Sequence, residues 1–179
     1  MEERSAQDLT ERRKRKFSSL LRGSRVLRLG LRVVARVMAP RQPVGAVGVV
    51  FDEEGRVLLV EHVFRTDFPW GLPGGWVERG EDPGRTVMRE IQEELGLIVD
   101  VGRLVLSAQV GMADRSTHPR HLGLAYSCLL TGGAFKAAPE VVSCIWTHPH
   151  EIRQELAPFQ RQAIIVAAEG LARHARLGT

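Results

Sequence analysis

The sequence predicts an α/β fold in which helices cover both sides of a mixed central sheet, preceded by a basic helical arm. Apolar runs of strand length alternate with longer stretches in which apolar residues recur at helical spacing. Gly, Pro and Asp residues separate these runs where turns are expected. Basic residues are concentrated before residue 42. These three observations predict an arm over residues 1–41 and an α/β domain over residues 42–179.

The composition is that of a globular protein with one full hydrophobic core. The chain has 179 residues, of which 44% are hydrophobic and 26% are charged. No apolar run approaches the roughly 18–20 residues that cross a bilayer. Cys128 and Cys144 lie in apolar, strand-like runs without CxxC spacing. We therefore expect reduced core thiols in a cytoplasmic protein, unless their strands prove to be neighbours.

The net positive charge of the protein comes from the arm. Residues 1–41 contain 12 basic and 4 acidic residues, a net charge of +8, whereas the remainder has a net charge of −4. Within 17–39, four arginines at helical spacing predict a basic stripe on an amphipathic helix: Arg25, Arg28, Arg32 and Arg36. Such a helix can lie on an anionic membrane surface, or pack on the body or on a second subunit as a homodimer. Acidic residues and interrupting arginines argue against a targeting peptide, and the shortage of aromatic residues argues against specific nucleic-acid binding.

The body reads in order as alternating strands and helices. The predicted elements are a hairpin over 44–63, an irregular loop over 64–75, an extended segment over 76–81, a helix over 83–95, strands over 97–101, 103–110, 121–130 and 141–146, a short helix over 149–156 and a final helix over 158–175. The first helix has clear ends, because Asp82 can cap its N-terminus, Pro83 suits its first position and Gly96 suits the left-handed residue that closes it.

This helix gathers negative charge on one face. Glu90, Glu93 and Glu94 stand at i, i+3 and i+4, so their side chains share a face and repel each other by a few tenths of a kcal/mol per pair. A sequence that accepts this cost either leaves the face in water or places cations against it.

The residues around this helix form a longer pattern. Gly75 is followed by five residues and Glu81, and seven more lead to the run REIQEELGL over 89–97. This pattern resembles the Nudix box, G-x5-E-x7-R-E-U-x-E-E-x-G-U with U a bulky aliphatic residue, and every specified position matches. The resemblance implies a Nudix-like α/β/α sandwich over residues 42–179.

The resemblance also implies a set of roles. It assigns metal ligation to Glu90, Glu93, Glu94 and the carbonyl of Gly75, with Mg²⁺ or Mn²⁺ as the cofactor. Hard divalent cations prefer such oxygen ligands, and they neutralise phosphoryl oxygens. Glu90 or Glu93 would orient or deprotonate the attacking water. Arg89 lies four residues before Glu93 and can hold its side chain, and Glu81 is expected to be structural.

Positions outside the box are less strongly specified. A further acid often completes the site in this family, and Glu140 and Glu78 are the candidates. Cys144 stands where relatives often carry an acid before the Trp, which leaves the identity of an external base open. Phe68 and Trp70 can stack on a base or pack in the core. His118, Arg120 and His121 can reach a phosphate or remain solvated.

The predicted function is metal-dependent hydrolysis of the pyrophosphate linkage in a nucleoside diphosphate linked to another moiety, X. Two rivals stay open. One is a catalytically silent nucleotide-binding module, which usually lacks a box acid, whereas none is missing here. The other is a protein that acts at a membrane surface through its arm, with the body as an accessory. The signatures of the branches that cleave ADP-ribose, NADH and coenzyme A are absent from this sequence.

Overall fold

The computed structural model describes residues 25–38, 42–111 and 120–177. The chain divides into two units, residues 1–41 and residues 42–179. In the first unit, helix α1 spans Arg25–Met38. The predicted helix over 17–39 is thus seen over 25–38, and its remaining positions lie outside the described residues.

The second unit contains seven strands and two α-helices within its described part. In chain order they are β1 (Val44–Phe51), β2 (Val57–His62), β3 (Trp70–Gly71), β4 (Gly74–Trp76), α2 (Pro83–Leu95), β5 (Leu97–Val110), β6 (His121–Gly133), β7 (Val141–Thr147), a 3-10 turn (Pro149–Glu151) and α3 (Pro158–Leu177).

All seven strands belong to one mixed sheet. Its main order is β3-β2-β1-β6-β5, while β4 pairs with β1 and β7 pairs with β2. The β1–β6 pair is parallel and the other pairs are antiparallel. The predicted 44–63 hairpin is confirmed as β1 and β2, whose turn is closed by Asp52: its carboxylate accepts hydrogen bonds from the backbone N–H of Arg56 at 2.8 Å and of Glu54 at 3.1 Å.

Alternating residues of β1 and β2 divide the core into two layers. Val50, Leu58 and Val60 belong to one cluster with Val87, Ile91 and Leu95 of α2. Val49, Phe51, Val57 and Leu59 belong to the other cluster with Ala163, Ile164 and Ala167 of α3. A strand buried on both faces reads as a continuous apolar run, as β1 does. The predicted α/β class, with helices on both sides of a mixed sheet, is confirmed.

Helix α2 begins and ends where the sequence predicts. The carboxylate of Asp82 accepts hydrogen bonds from the backbone N–H of Gly84 at 3.0 Å and of Arg85 at 3.2 Å. Gly96 adopts a left-handed conformation, with φ of 68°, and donates its backbone N–H to the carbonyl of Gln92. The acidic face of the helix is therefore held on a rigid element with defined ends.

Three sequence predictions of element boundaries are wrong. The loop expected over 64–75 contains β3 and most of β4, and the extended segment expected over 76–81 contributes only Trp76 to a strand. The strands expected over 97–101 and 103–110 form one strand, β5, because pairing with β6 resumes after register shifts between Val101 and Leu106. The helix expected over 149–156 is only the 3-10 turn Pro149–Glu151. A sequence window cannot show that a strand partner continues past an irregular pair, since the partner lies far away in the chain.

Cys128 and Cys144 are free thiols. Cys128 lies on β6 and Cys144 on β7, and these two strands are separated in the sheet by β1 and β2. Burial raises the pKa of Cys128 to about 12, so its thiol stays protonated.

The close approach of α2 to β1 gives a test of the fold. A Cβ added to Gly48 would lie 2.8 Å from Cδ1 of Ile91 and 2.9 Å from Cγ1 of Val87. We expect Gly48→Ala to lower the free energy of unfolding by about 1–3 kcal/mol through overpacking, measured by urea denaturation. Gly132→Ala is the matched control, because a Cβ there meets nothing within 4 Å. Equal stability of the two variants would contradict this packing.

Candidate active site

Gly75 brings the sheet into contact with the acidic face of α2. It pairs with Ala46 of β1, a residue of the core layer that contains α2. A Cβ added to Gly75 would overlap the carboxylate of Glu90. Only glycine at this position lets the carboxylate rest against the backbone of β4.

Arg89 lies among three of the acids and joins them. Its Nη1 donates hydrogen bonds to Glu90 at 2.9 Å and to Glu93 at 3.1 Å. Its Nε and Nη2 donate to the two carboxylate oxygens of Glu81, at 3.0 and 3.2 Å. The bidentate bond to Glu81 is the main cause of a raised pKa for Arg89. One guanidinium thus offsets the repulsion among the glutamates.

Glu81 anchors this cluster to the start of α2. Its carboxylate also accepts a hydrogen bond from the hydroxyl of Thr86 at 2.7 Å and from the backbone N–H of Glu78 at 3.1 Å. Hydrogen bonds from Arg89 and then from Thr86 lower the pKa of Glu81 to about 2. The geometry fits the structural role expected for Glu81.

Glu94 differs from the other acids because it is buried, with only 7% of its surface exposed. Its carboxylate accepts a long hydrogen bond, 3.4 Å, from the backbone N–H of Gly74. Burial raises the pKa of Glu94 to about 7, against the opposing effect of Arg65. The negative charges of Glu90 and then of Glu140 raise this pKa further.

Sequence reasoning missed His62 and Arg65, which lie beside Glu94. His62 Nε2 is 3.8 Å from the Glu94 carboxylate and makes no hydrogen bond within the described residues. Burial lowers the pKa of His62 to about 4, so this contact is not an ion pair at neutral pH. Arg65 donates its Nη2 to the carbonyl of Leu72 at 3.3 Å. No spacing rule links β2 and its loop to α2, so the sequence carried no signal for this cluster.

Carboxylates of this kind can bind a divalent cation, but within the described residues they do not surround a common point. No three His, Cys, Asp or Glu side chains within the described ranges lie close enough together to hold a metal ion. Arg89 holds one carboxylate oxygen of Glu90 and one of Glu93, and it leaves the second oxygen of each without a bond to Arg89. Carboxylate oxygens on a single face, beside a glycine cradle, are nevertheless the donors that Mg²⁺ and Mn²⁺ prefer. Glu94 supports this fit, because it is a buried carboxylate with one long hydrogen bond.

An open cleft lies across β4 from the acids. Gly74 and Gly75 form the border between the cleft and the acids. Aromatic side chains supply much of the cleft lining: Phe68, Trp76, His121 and Phe159. The edge-to-face contact between Trp76 and His121 has a centroid distance of 4.9 Å.

The predicted substrate residues divide between the cleft and other places. Phe68 lines the cleft, and so does His121. Trp70 packs instead against the core layer under α3. Arg120 is exposed and does not line the cleft, and Glu78 is exposed near Glu81. His118 lies outside the described residues.

Comparisons with known proteins agree with this fold. A family model for the NUDIX domain matches residues 41–166. A MutT-like protein of Streptomyces ambofaciens is 30% identical over 137 residues, which cover 76% of this chain and 84% of that protein. A putative 8-oxo-dGTP diphosphatase of Bacillus subtilis is 31% identical over 121 residues, covering 67% of this chain and 76% of that protein. The crystal structure of an ADP-ribose pyrophosphatase from Streptococcus suis has a TM-score of 0.57 and 25% identity, covering 73% of this chain and 92% of that chain.

The chain therefore belongs to the NUDIX domain family, as a Nudix-type pyrophosphohydrolase. The resemblance stated from the box at 75–97 is confirmed, and the family match extends over most of the body. The acids on α2 lie within the box, whereas the residues that line the cleft lie mostly outside it.

The pKa of Glu81 gives a test of the Arg89 cluster. A folded-state pKa of about 2, below the ordinary 4.5, stabilises the protein above pH 4.5, and this stability is lost as the pH falls toward 2. We expect Glu81→Gln to lower the melting temperature at pH 7 and to flatten its fall between pH 5 and pH 2. Circular dichroism melts at half-unit pH steps measure this, with Glu53→Gln in an exposed turn as the control. If the melting temperatures of the wild type and of Glu81→Gln fell in parallel between pH 5 and pH 2, the low pKa of Glu81 would be contradicted.

Proposed function

We propose that the enzyme hydrolyses the pyrophosphate linkage of a nucleoside diphosphate linked to a second moiety, X, in a reaction that depends on Mg²⁺ or Mn²⁺. The observation that carries this proposal is the packing of the Glu90 carboxylate on Gly75, with Glu93 and Glu94 on the same helical face. This arrangement places several oxygen donors across β4 from an open cleft, with Gly74 and Gly75 between them.

A nucleotide substrate is supported by the names of the relatives. They include the 8-oxo-dGTP diphosphatase of Bacillus subtilis already described and an ADP-ribose pyrophosphatase. These substrates share a nucleoside attached to a phosphoanhydride and differ in X. We therefore assign the class of substrate to this chain and leave X to experiment.

Glu90, Glu93, Glu94 and the carbonyl of Gly75 are the groups that would hold the cation. When bound, it would supply positive charge to the phosphoryl oxygens and polarise the phosphorus for attack. Glu94 suits this role because a cation would relieve the cost of burying its charge. Glu90 and Glu93 would have to exchange part of their contact with Arg89 for the cation.

Side chains of the enzyme would then accept the proton that the attacking water releases. Glu90 or Glu93 would accept a proton from water as its oxygen bonds to phosphorus, and the bridging P–O bond would break to give two phosphorylated products. Arg89 would keep both carboxylates in place through its hydrogen bonds. Glu140, half-buried near Glu94, is a further acid available to the site.

Removing the charge of one box acid tests these roles. We expect Glu93→Gln and Glu94→Gln to lower turnover by roughly 100-fold or more, because each loses a ligand oxygen and its charge. Turnover is measured with Mg²⁺ and with Mn²⁺, and EDTA should abolish wild-type activity. Gln92→Ala, at an exposed position of the same helix, is the control for folding and helix stability. Full rates in both Gln variants would show that the assigned roles are wrong.

The identity of X requires a substrate panel. Nucleoside triphosphates, nucleotide sugars, dinucleotides, capped RNA and CDP-alcohols should be incubated with the enzyme and metal, and the products identified by mass. Two phosphorylated products identify the bond that is cleaved. Tight nucleotide binding with no product after long incubation would instead favour the silent binding module.

We further propose that α1 contacts an anionic membrane surface. Its large apolar side chains are exposed: Val26, Leu29, Leu31, Val33, Val34 and Met38. The helix contains arginines but no acid, which suits a surface of anionic headgroups. No helix in the described part of the chain combines the length and apolar composition needed to span a bilayer. The free thiols Cys128 and Cys144 support a cytoplasmic location.

Vesicle co-sedimentation tests the membrane proposal. Reversing the charges of Arg25 and Arg32 to Glu should weaken binding to vesicles containing phosphatidylserine by at least tenfold, since each basic residue contributes about 1 kcal/mol. The same reversals at the exposed Arg79 and Arg153 of the body are the charge-matched control. Equal binding by both double variants, or equal binding to neutral vesicles, would favour packing of α1 on a protein surface.

A further inference from the structure

We propose that the cleft binds the base of the substrate by stacking, with Trp76 as the platform. This inference rests on the proposed function and adds how the nucleoside half is recognised. It concerns a residue directly after Gly75 for which the sequence predicted no role.

The floor of the cleft consists of paired glycines. Gly45 of β1 pairs with Gly123 of β6 on one side and with Trp76 of β4 on the other. A Cβ on Gly123 would lie 3.0 Å from Cζ of Phe159, and a Cβ on Gly45 would lie 3.3 Å from Cδ2 of His121. The missing side chains therefore let two rings approach the sheet and line the cleft.

Trp76 forms one wall of the cleft. Its indole contacts the ring of His121 edge to face, at an interplanar angle of 74°. It remains 43% exposed, although a large aromatic side chain gains by burial. A second planar ring stacked on the indole would cover this surface. Such stacking accepts any base, because every base presents a π-face.

The position of Trp76 links stacking to the chemistry. Successive residues of a strand point to opposite faces, so Trp76 faces the cleft while Gly75 faces Glu90 on α2. A base held on Trp76 would therefore lie across β4 from Glu90, and its phosphates would have to pass Gly74 and Gly75 to reach the acids of the proposed reaction. Asp67 and Gln160 line the same cleft and offer polar groups to the edge of a base.

Binding of nucleoside monophosphates tests the platform without turnover. AMP, GMP, CMP and UMP are titrated into the full chain with EDTA and again with Mg²⁺, and binding is followed by tryptophan fluorescence and calorimetry. We expect Trp76→Ala to weaken binding by about 5- to 150-fold, the range for loss of one base stack, and Trp76→Phe to restore most of it. Ribose 5-phosphate, which has no base, should bind equally to all variants.

Controls separate stacking from folding. Phe135→Ala removes an exposed aromatic side chain outside the cleft and should bind like the wild type. Melting temperatures of all variants show whether they fold. In turnover assays, Trp76→Ala should raise KM far more than it lowers kcat, and Trp76→Phe should return KM toward the wild-type value.

The outcomes distinguish this inference from the proposed function. Unchanged nucleotide binding and KM in Trp76→Ala would overturn the platform, even if Glu93→Gln abolishes turnover. Failure of the wild type to bind any monophosphate, with or without Mg²⁺, would also overturn it. Binding that depends on Trp76 without hydrolysis of any panel substrate would support the platform and reject the proposed function.

Discussion

The guanidinium of Arg89 is the interaction on which the active-site geometry depends. Glu90 and Glu93 lie within one turn of α2 and Glu81 lies just before the helix, so their carboxylates would repel each other. Arg89 donates hydrogen bonds to all three. Because Glu81 is also bound by Thr86, the cluster is tied to the first turn of α2. The helix therefore carries dense negative charge that is partly offset by Arg89, as the proposed cation site requires.

Two glutamates that are adjacent in the sequence have different environments. Glu93 is exposed and paired with Arg89, whereas Glu94 is buried beside Gly74, His62 and Arg65. Burial raises the pKa of Glu94 to about 7, and the charge of Arg65 opposes this shift. One face of a helix can thus combine a solvent-accessible acid with one that favours a bound cation.

The two faces of β4 meet different parts of the molecule, the Glu90 carboxylate on one side and the cleft on the other. Gly75 admits the carboxylate of Glu90 on one face, and Trp76 stands at the wall of the cleft on the other. A short strand is enough for this, because its pairing with the central strand β1 fixes the direction of each residue. In the proposed arrangement, changes in the residues around Trp76 alter the bound group while the acids on α2 remain unchanged.

The sequence by itself determined the features that depend on local chemistry: the hairpin over β1 and β2, the ends of α2 at Asp82 and Gly96, and the placement of three glutamates on one helical face. Turn and cap residues act on neighbours, so their spacing is visible in the chain. Only the tertiary structure decided that β5 continues past Val101, that Trp70 packs in the core while Trp76 lines the cleft, and that His62 and Arg65 lie beside Glu94. These outcomes depend on pairing between segments far apart in the chain, and no local spacing records which strand lies beside which.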